Sequence, residues 1–474
     1  MDVQQPSPPD GEGAAPELHH WRRLLHGIGA NLLGKIWVVV GQAASVPILL
    51  TVWGPKNYGL WLMVSAIPSY AVLSDFGFGS AAAVLMTQMV AKGEKADALR
   101  VFQSVGVLVG GILAAMLAVS VAVFAAFPFL AGLFGMKPPD PDVAWAFLIL
   151  MVYSAAIAQM GIVAIGFRCT KRYARGTILY DLAMPLETVA LLVAAVMTRS
   201  FVICAAAQLA VRIPALILYY TRLRIDEPWL KLGWSKASLD VIRRLAKPSL
   251  ANFALPFALA MSVQGVVFTV GMGFGPAAAG MFGAVRTFTR LPLQMVSVLS
   301  RASQPELTLA HTLTNRPLVA RLTALNLAMA VLTFAPFILL SPWGGVLMHL
   351  VARGRLSVPP EFYVTMEVVA CVQALWSTLA TFLLSENKLQ KIVPWCLSAG
   401  LAAMAAPLVV RGHVTLTELA AVLGSLDVIV LIAAARIWWR ESGLSLADYA
   451  ELARHPTRLL SRRPRAVSAQ ESAR

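Results

Sequence analysis

Long apolar runs, separated by short clusters of glycine, proline and charge, set the pattern of this chain. Residues 101–135, 248–285 and 322–352 contain no Asp, Glu, Lys or Arg. Each run far exceeds the ~20 apolar residues that cross ~30 Å of hydrocarbon. Between the breaks the pattern predicts helical spans near 28–52, 58–91, 101–127, 143–167, 177–197 and 200–221. A second set is expected near 248–272, 277–310, 318–350, 362–385, 392–410 and 414–435. The expected fold is an all-α membrane protein, with about twelve transmembrane helices in two six-helix bundles. Its divisions are a disordered tail (1–20), an N-terminal lobe (21–223), a basic linker (224–247), a C-terminal lobe (248–440) and a second tail (441–474).

Charge sharpens this picture. Charged residues make up 13% of the 474 and apolar residues 58%, with a mean hydropathy of +0.71. A soluble domain carries about 25% charge, so lipid is the expected solvent. Placed on the twelve spans, 28 Lys and Arg fall on the side of the N-terminus and six on the other, with five inside spans. Cations resist translocation, so both termini are expected in the cytoplasm. The net charge of +15 then reports topology, and no nucleic-acid partner is implied. Met1 to Glu17, rich in Pro, Gly and acid, reads as a disordered tail rather than a signal peptide. Cys169, Cys204, Cys371 and Cys396 are scattered singly, without disulfide or metal-ligand spacing, and no cofactor is expected.

The chain also repeats itself. Ala30-Asn31 recurs as Ala251-Asn252, and Gly54-Pro55-x-x-x-Gly59 recurs as Gly275-Pro276-x-x-x-Gly280, both 221 residues on. Spans 1 and 2 therefore correspond to spans 7 and 8. Two six-span units running in the same sense are related by an axis along the membrane normal, and such transporters hold substrate between the halves near the midplane.

The run Gly54-Pro-Lys-Asn-Tyr-Gly-Leu-Trp-Leu62, followed by Ser74-Asp75-Phe-Gly-Phe-Gly-Ser-Ala-Ala82, resembles the early region of bacterial O-antigen and exopolysaccharide flippases. These are polysaccharide members of the multidrug/oligosaccharidyl-lipid/polysaccharide exporter superfamily. The likeness covers about 28–95 at the residue level and about 20–440 in architecture. It implies translocation of an undecaprenyl diphosphate-linked oligosaccharide across the bacterial inner membrane by alternating access. The implied partners are membrane lipid and, beside the flippase, the polysaccharide polymerase and chain-length machinery.

Five cations lie within the predicted spans: Lys35, Arg212, Arg286, Arg290 and Arg301. A cation facing lipid at a helix centre costs about 2.5–3.5 kcal/mol, so those at depth are expected to face a polar interior or an acid. Arg286 and Arg290 are i, i+4 and share a face. Asn31, Lys35, Gln42 and Ser45 form a polar stripe on span 1. A cationic wall suits a diphosphate, so Lys35, Arg286, Arg290, Asn31 and Gln42 are candidate substrate-binding residues. The competing readings are that Lys35 snorkels to the surface and that Arg290 pairs with an acid such as Glu306.

Asp75, just ahead of Gly77 and Gly79, is a candidate for either a helix break, capping the half-helix that follows, or ion coupling. Asp181, Glu187 and Glu367 lie inside spans and are candidate relay groups, or simple salt-bridge partners. Trp53, Tyr58, Trp61, Trp438 and Trp439 lie near span ends and are expected as interfacial anchors. No Gly-x-x-x-x-Gly-Lys-Ser/Thr loop is present, so ATP is not the expected direct energy source. Two alternatives stand beside the flippase: a cation-coupled drug exporter of the same superfamily, and a membrane glycosyltransferase or polymerase, for which Asp140 and Asp142 are the thin candidate acids. No enzyme activity is expected from the leading reading.

Overall fold

The computed structural model describes the backbone of residues 14–134, 140–170, 172–312, 316–385 and 388–442, and it contains no strand among them. Fifteen α-helices follow one another: α1 Ala14–Ala71, α2 Phe78–Ala91, α3 Lys95–Phe134, α4 Pro141–Cys169, α5 Tyr173–Thr198, α6 Phe201–Asp226, α7 Leu239–Ala260, α8 Val266–Phe274, α9 Pro276–Thr289, α10 Leu291–Thr312, α11 Arg316–Leu340, α12 Gly344–Val351, α13 Pro360–Ser385, α14 Val393–Val409 and α15 Leu416–Ser442. A π-turn, Met261–Gly265, joins α7 to α8, and a 3-10 turn, Ser341–Trp343, joins α11 to α12.

Eight stretches among the described residues are long and apolar enough to cross a membrane. They match eight of the twelve spans expected from the sequence. The other four coincide with interrupted or short helices. Spans 1 and 2 lie in α1 and α2, span 8 is split between α9 and α10 at Arg290, and span 11 is the 17-residue α14.

The interruptions have local causes. Gly54 (φ 72°, ψ 171°) turns the chain inside α1, and Gly275 (φ 91°, ψ 163°) turns it between α8 and α9. A side chain disfavours this conformation, and glycine does not. Each glycine precedes a proline, whose fixed φ and missing N–H suit the first position of the helix that follows. The two copies of the sequence repeat thus make the same turn.

They also meet. A Cβ at Gly59 would run into the carbonyl of Pro276 and stand 2.7 Å from the Gly280 nitrogen; a Cβ at Gly280 would run into the carbonyl of Pro55 and stand 3.1 Å from the Gly59 nitrogen. The contact is reciprocal, main chain against main chain. Around it, Val46, Leu50 and Tyr58 of α1 share a buried cluster with Val270 of α8 and Phe282 and Val285 of α9.

Trp53, Tyr58 and Trp61 are only 7%, 4% and 5% exposed. Trp53 meets Phe201 edge-on at 4.9 Å and donates to the Arg199 carbonyl at 3.0 Å. The three residues therefore pack inside the protein, correcting the expectation of interfacial anchors; their rings fill the seam where α1 meets α6 and α9. Trp439 is 40% exposed. Asp140 accepts from the Asp142 N–H at 3.0 Å, and Asp142 accepts from Ser200 and from the Phe201 N–H, both at 2.7 Å. Both acids therefore serve helix starts.

A second cluster joins α2, α3, α4 and α6, and a third joins α7, α10, α11, α13, α14 and α15. The segment between α6 and α7 is pinned to α3. Gln103 donates to the Lys231 carbonyl at 3.0 Å and accepts from the Lys236 N–H at 2.9 Å, and Ser104 accepts from the Ser238 N–H at 2.9 Å.

Candidate functional site

α9 ends at Arg290 because the chain meets Pro292 one residue into α10, and a proline inside a helix removes a donor and crowds the preceding turn. That break leaves Arg286 and Arg290 one turn apart on the wall of a cavity. Ser262 of the π-turn, Thr289 of α9, Gln373 of α13 and Asp427 of α15 complete its polar lining, against an apolar surround that includes Phe282 and Ala403. Its volume is about 60 Å³, room for a few water molecules and too little for a sugar.

Arg286 Nη1 donates to the carbonyl of Val263 in the π-turn, and its guanidinium sits 5.6 Å from the centre of the Phe282 ring. π-turns re-aim carbonyls out of the helical ladder and recur at functional sites; here one becomes the arginine's acceptor. Tyr58 and Tyr70 lie within electrostatic reach of Arg286, and Arg290 lies within reach of both Arg286 and Asp427. Asp427 Oδ1 accepts from the Trp376 indole N–H at 3.0 Å. Among the described residues neither Arg286 nor Arg290 has a carboxylate within 4.0 Å.

Gln42, from the other half, accepts from Gln294 of α10, one turn past Arg290, at 2.7 Å, and neither side chain lines the cavity. Lys35 and Asn31 lie in α1, and their side chains, like those of Arg301 and Glu306, fall outside the described residues.

The other charged candidates sit apart. Glu187 of α5 is held by Arg212 of α6 through two contacts, 2.5 Å and 2.6 Å, and by the Tyr153 hydroxyl at 2.8 Å; both charged side chains are nearly sealed from solvent. Tyr153 also underlies the guanidinium at 5.7 Å. This buried ion pair, with Tyr153, binds α4, α5 and α6 together. Asp181, also on α5, is half-buried. Glu367 of α13 is 1% exposed, and its Oε1 has no hydrogen-bond partner among the described residues.

Asp75 stands where the helix stops between Ala71 and Phe78. Its Oδ1 accepts from the Gly77 N–H at 3.1 Å and its Oδ2 from the Gly79 N–H at 3.2 Å. Phe76 (φ 44°) and Gly77 (φ 77°) carry the turn. The Phe76 ring lands 4.9 Å from Phe253 of α7, which stacks on Phe257 at 5.0 Å. Tyr70 donates to the Ala260 carbonyl at 3.1 Å beside them. The break therefore delivers an aromatic contact from one half to the other.

Sequence reasoning missed Asp427, Gln373 and Trp376. The signal was present for Asp427, an acid deep in the predicted span 414–435, whose other acid, Glu418, lies at its start; at that depth it is as unexpected as any arginine. Gln373 and Trp376 carried no such mark. Among the described residues no three His, Cys, Asp or Glu side chains gather as a metal site.

Broken helices in repeated pairs, meeting along a shared seam, define a class of polytopic helical membrane protein. The particular fold is that of the MATE transporters. An inward-facing multidrug resistance MATE family transporter of the MOP superfamily matches with a TM-score of 0.65, covering 91% of this chain and 99% of that one at 11% identity. An outward-facing one matches at 0.55, covering 86% and 96% at 12% identity. A MOP superfamily transporter from Pyrococcus furiosus, described as having a binding pocket of reverse polarity, matches at 0.52, covering 90% and 97% at 12% identity. No family model matches the sequence, and neither does any curated protein.

Proposed function

We propose that this protein is an alternating-access transporter of the bacterial inner membrane that flips a lipid-diphosphate-linked oligosaccharide for surface polysaccharide synthesis. Its twelve spans would place both termini in the cytoplasm. One observation carries the assignment of an anionic cargo: the polar lining of the cavity holds two arginines, Arg286 and Arg290, against one acid, Asp427. A cavity built to hold an organic cation would carry the opposite excess. Guanidinium groups offer paired, planar donors to phosphate oxygens, so the diphosphate is the part of the cargo that this wall would engage. The glycan would occupy the space between the halves and the prenyl chain would stay in lipid. Likeness in fold to both inward- and outward-facing MATE transporters supports a rocking cycle, and the higher TM-score to the inward-facing one supports reading this conformation as open to the cytoplasm.

A second reading, a cation-coupled drug exporter, draws on the multidrug resistance transporters among the structural neighbours and on the buried carboxylate of Glu367. One experiment separates the two. In a strain lacking its own copy, Arg290→Ala is expected to abolish glycan export while the protein persists in the membrane, and Arg290→Lys to restore export in part. Normal export by the alanine variant removes the arginine from the substrate path. Lost resistance to cationic drugs with unchanged export selects the second reading.

A further inference from the structure

We propose that the outward face of α15, together with Trp395 of α14, is a binding site for an anionic phospholipid, separate from the arginine cavity. Ile429, Ile432, Arg436 and Arg440 follow one another at intervals of three or four residues, so they lie along one stripe of α15. With Trp395 and Ile437 they bound a groove of about 470 Å³, within the range of about 300–1,000 Å³ typical of small-molecule sites. The cavity uses other positions of the same helix, Leu423, Leu426 and Asp427.

The groove is chemically two-ended. Isoleucines form the trough, and both arginines stand toward its end in the last turns of the helix. Neither arginine has a carboxylate within 4.0 Å among the described residues. The neighbouring acid, Glu441, is already held by Lys388 at 3.0 Å and Lys391 at 2.5 Å. A lipid phosphate between two guanidinium groups meets charge with charge, while an acyl chain covers the isoleucines; basic pockets between spans on the cytoplasmic side take anionic head groups in this way. Trp395, 48% exposed at the groove's edge, suits the boundary between head group and hydrocarbon. The chain's own continuation is a poor occupant: residues 443–474 carry six arginines against three acids, and like charge repels it from Arg436 and Arg440.

Native mass spectrometry tests this on the full chain purified in detergent and offered equal phosphatidylglycerol and phosphatidylcholine. The wild type is expected to retain phosphatidylglycerol in preference. The double variant Arg436→Gln, Arg440→Gln is expected to lose about thirtyfold of that preference, the combined weight of two surface cations, with an unchanged unfolding temperature in detergent alone. Ile432→Trp, which fills the trough and leaves both charges, is expected to lower total lipid retained; it decides the matter alone if the double variant fails to fold. Wild-type retention in both variants, or no preference in the wild type, overturns the proposal. Displacement of phosphatidylglycerol by a polyprenyl diphosphate that phosphatidylglycerol cannot displace in return also overturns it, by giving the groove to the cargo.

Discussion

The buried pair of Glu187 and Arg212 shows how little a charge inside a span reveals until its neighbours are known. Both residues stood out in the sequence as ionisable groups at depth, and so did Arg286 and Arg290. The first two lie 2.5 Å apart with Tyr153 as a third member, whereas the second two face a cavity. That difference was illegible because the partner comes from another helix: residue 212 meets residue 187 only once α5 and α6 pack. Removing one member of a buried pair strands the other charge, at a cost of about 3–5 kcal/mol, whereas replacing both with apolar groups of similar volume is often neutral. Glu187→Ala is therefore expected to lower the unfolding temperature in detergent sharply. Glu187→Leu combined with Arg212→Met is expected to recover most of the loss, and equal destabilisation by single and double variants would contradict a purely structural pair.

Among the elements, the break between α1 and α2 was readable from Asp75, Gly77 and Gly79, since an acid followed closely by glycines is a plausible half-helix start. The sequence did not disclose the use made of it. Asp75 holds two N–H groups while Phe76 is swung onto Phe253 of α7. Loss of such a cap costs about 1 kcal/mol, and an L-residue forced into left-handed backbone costs about 1–2 kcal/mol. Asp75→Asn, which keeps one acceptor and loses the other, is expected to cost about 1 kcal/mol. Gly77→Ala, at φ 77°, is expected to be the more destabilising, with the order read from unfolding temperatures; the reverse order would show that the carboxylate's charge matters more than the turn. Two further breaks were harder to see. The π-turn at Met261–Gly265 follows Pro256 too distantly to be assigned from spacing, and a proline at 292, inside the expected span 277–310, does not by itself show that Arg290 sits at the break.

At the scale of the whole molecule, the internal repeat was the most informative feature of the sequence, because a single offset of 221 aligned two Gly-Pro pairs that make one turn twice. Correspondence in sequence did not reveal contact in space. Gly59 and Gly280 press main chain on main chain across the seam, and any rocking of the halves must part them or pivot on them. Gly59→Ala, with its methyl group driven at the Pro276 carbonyl, is expected to bias the protein away from this arrangement, visible as faster hydrogen exchange along α1 and α9; unchanged exchange would show that the halves can part here without cost. The seam also has no adjustable parts. A joint made of side chains can be retuned by swapping one for another, but backbone pressed on backbone has a single thickness, so the two halves are held to one common gauge wherever else they diverge.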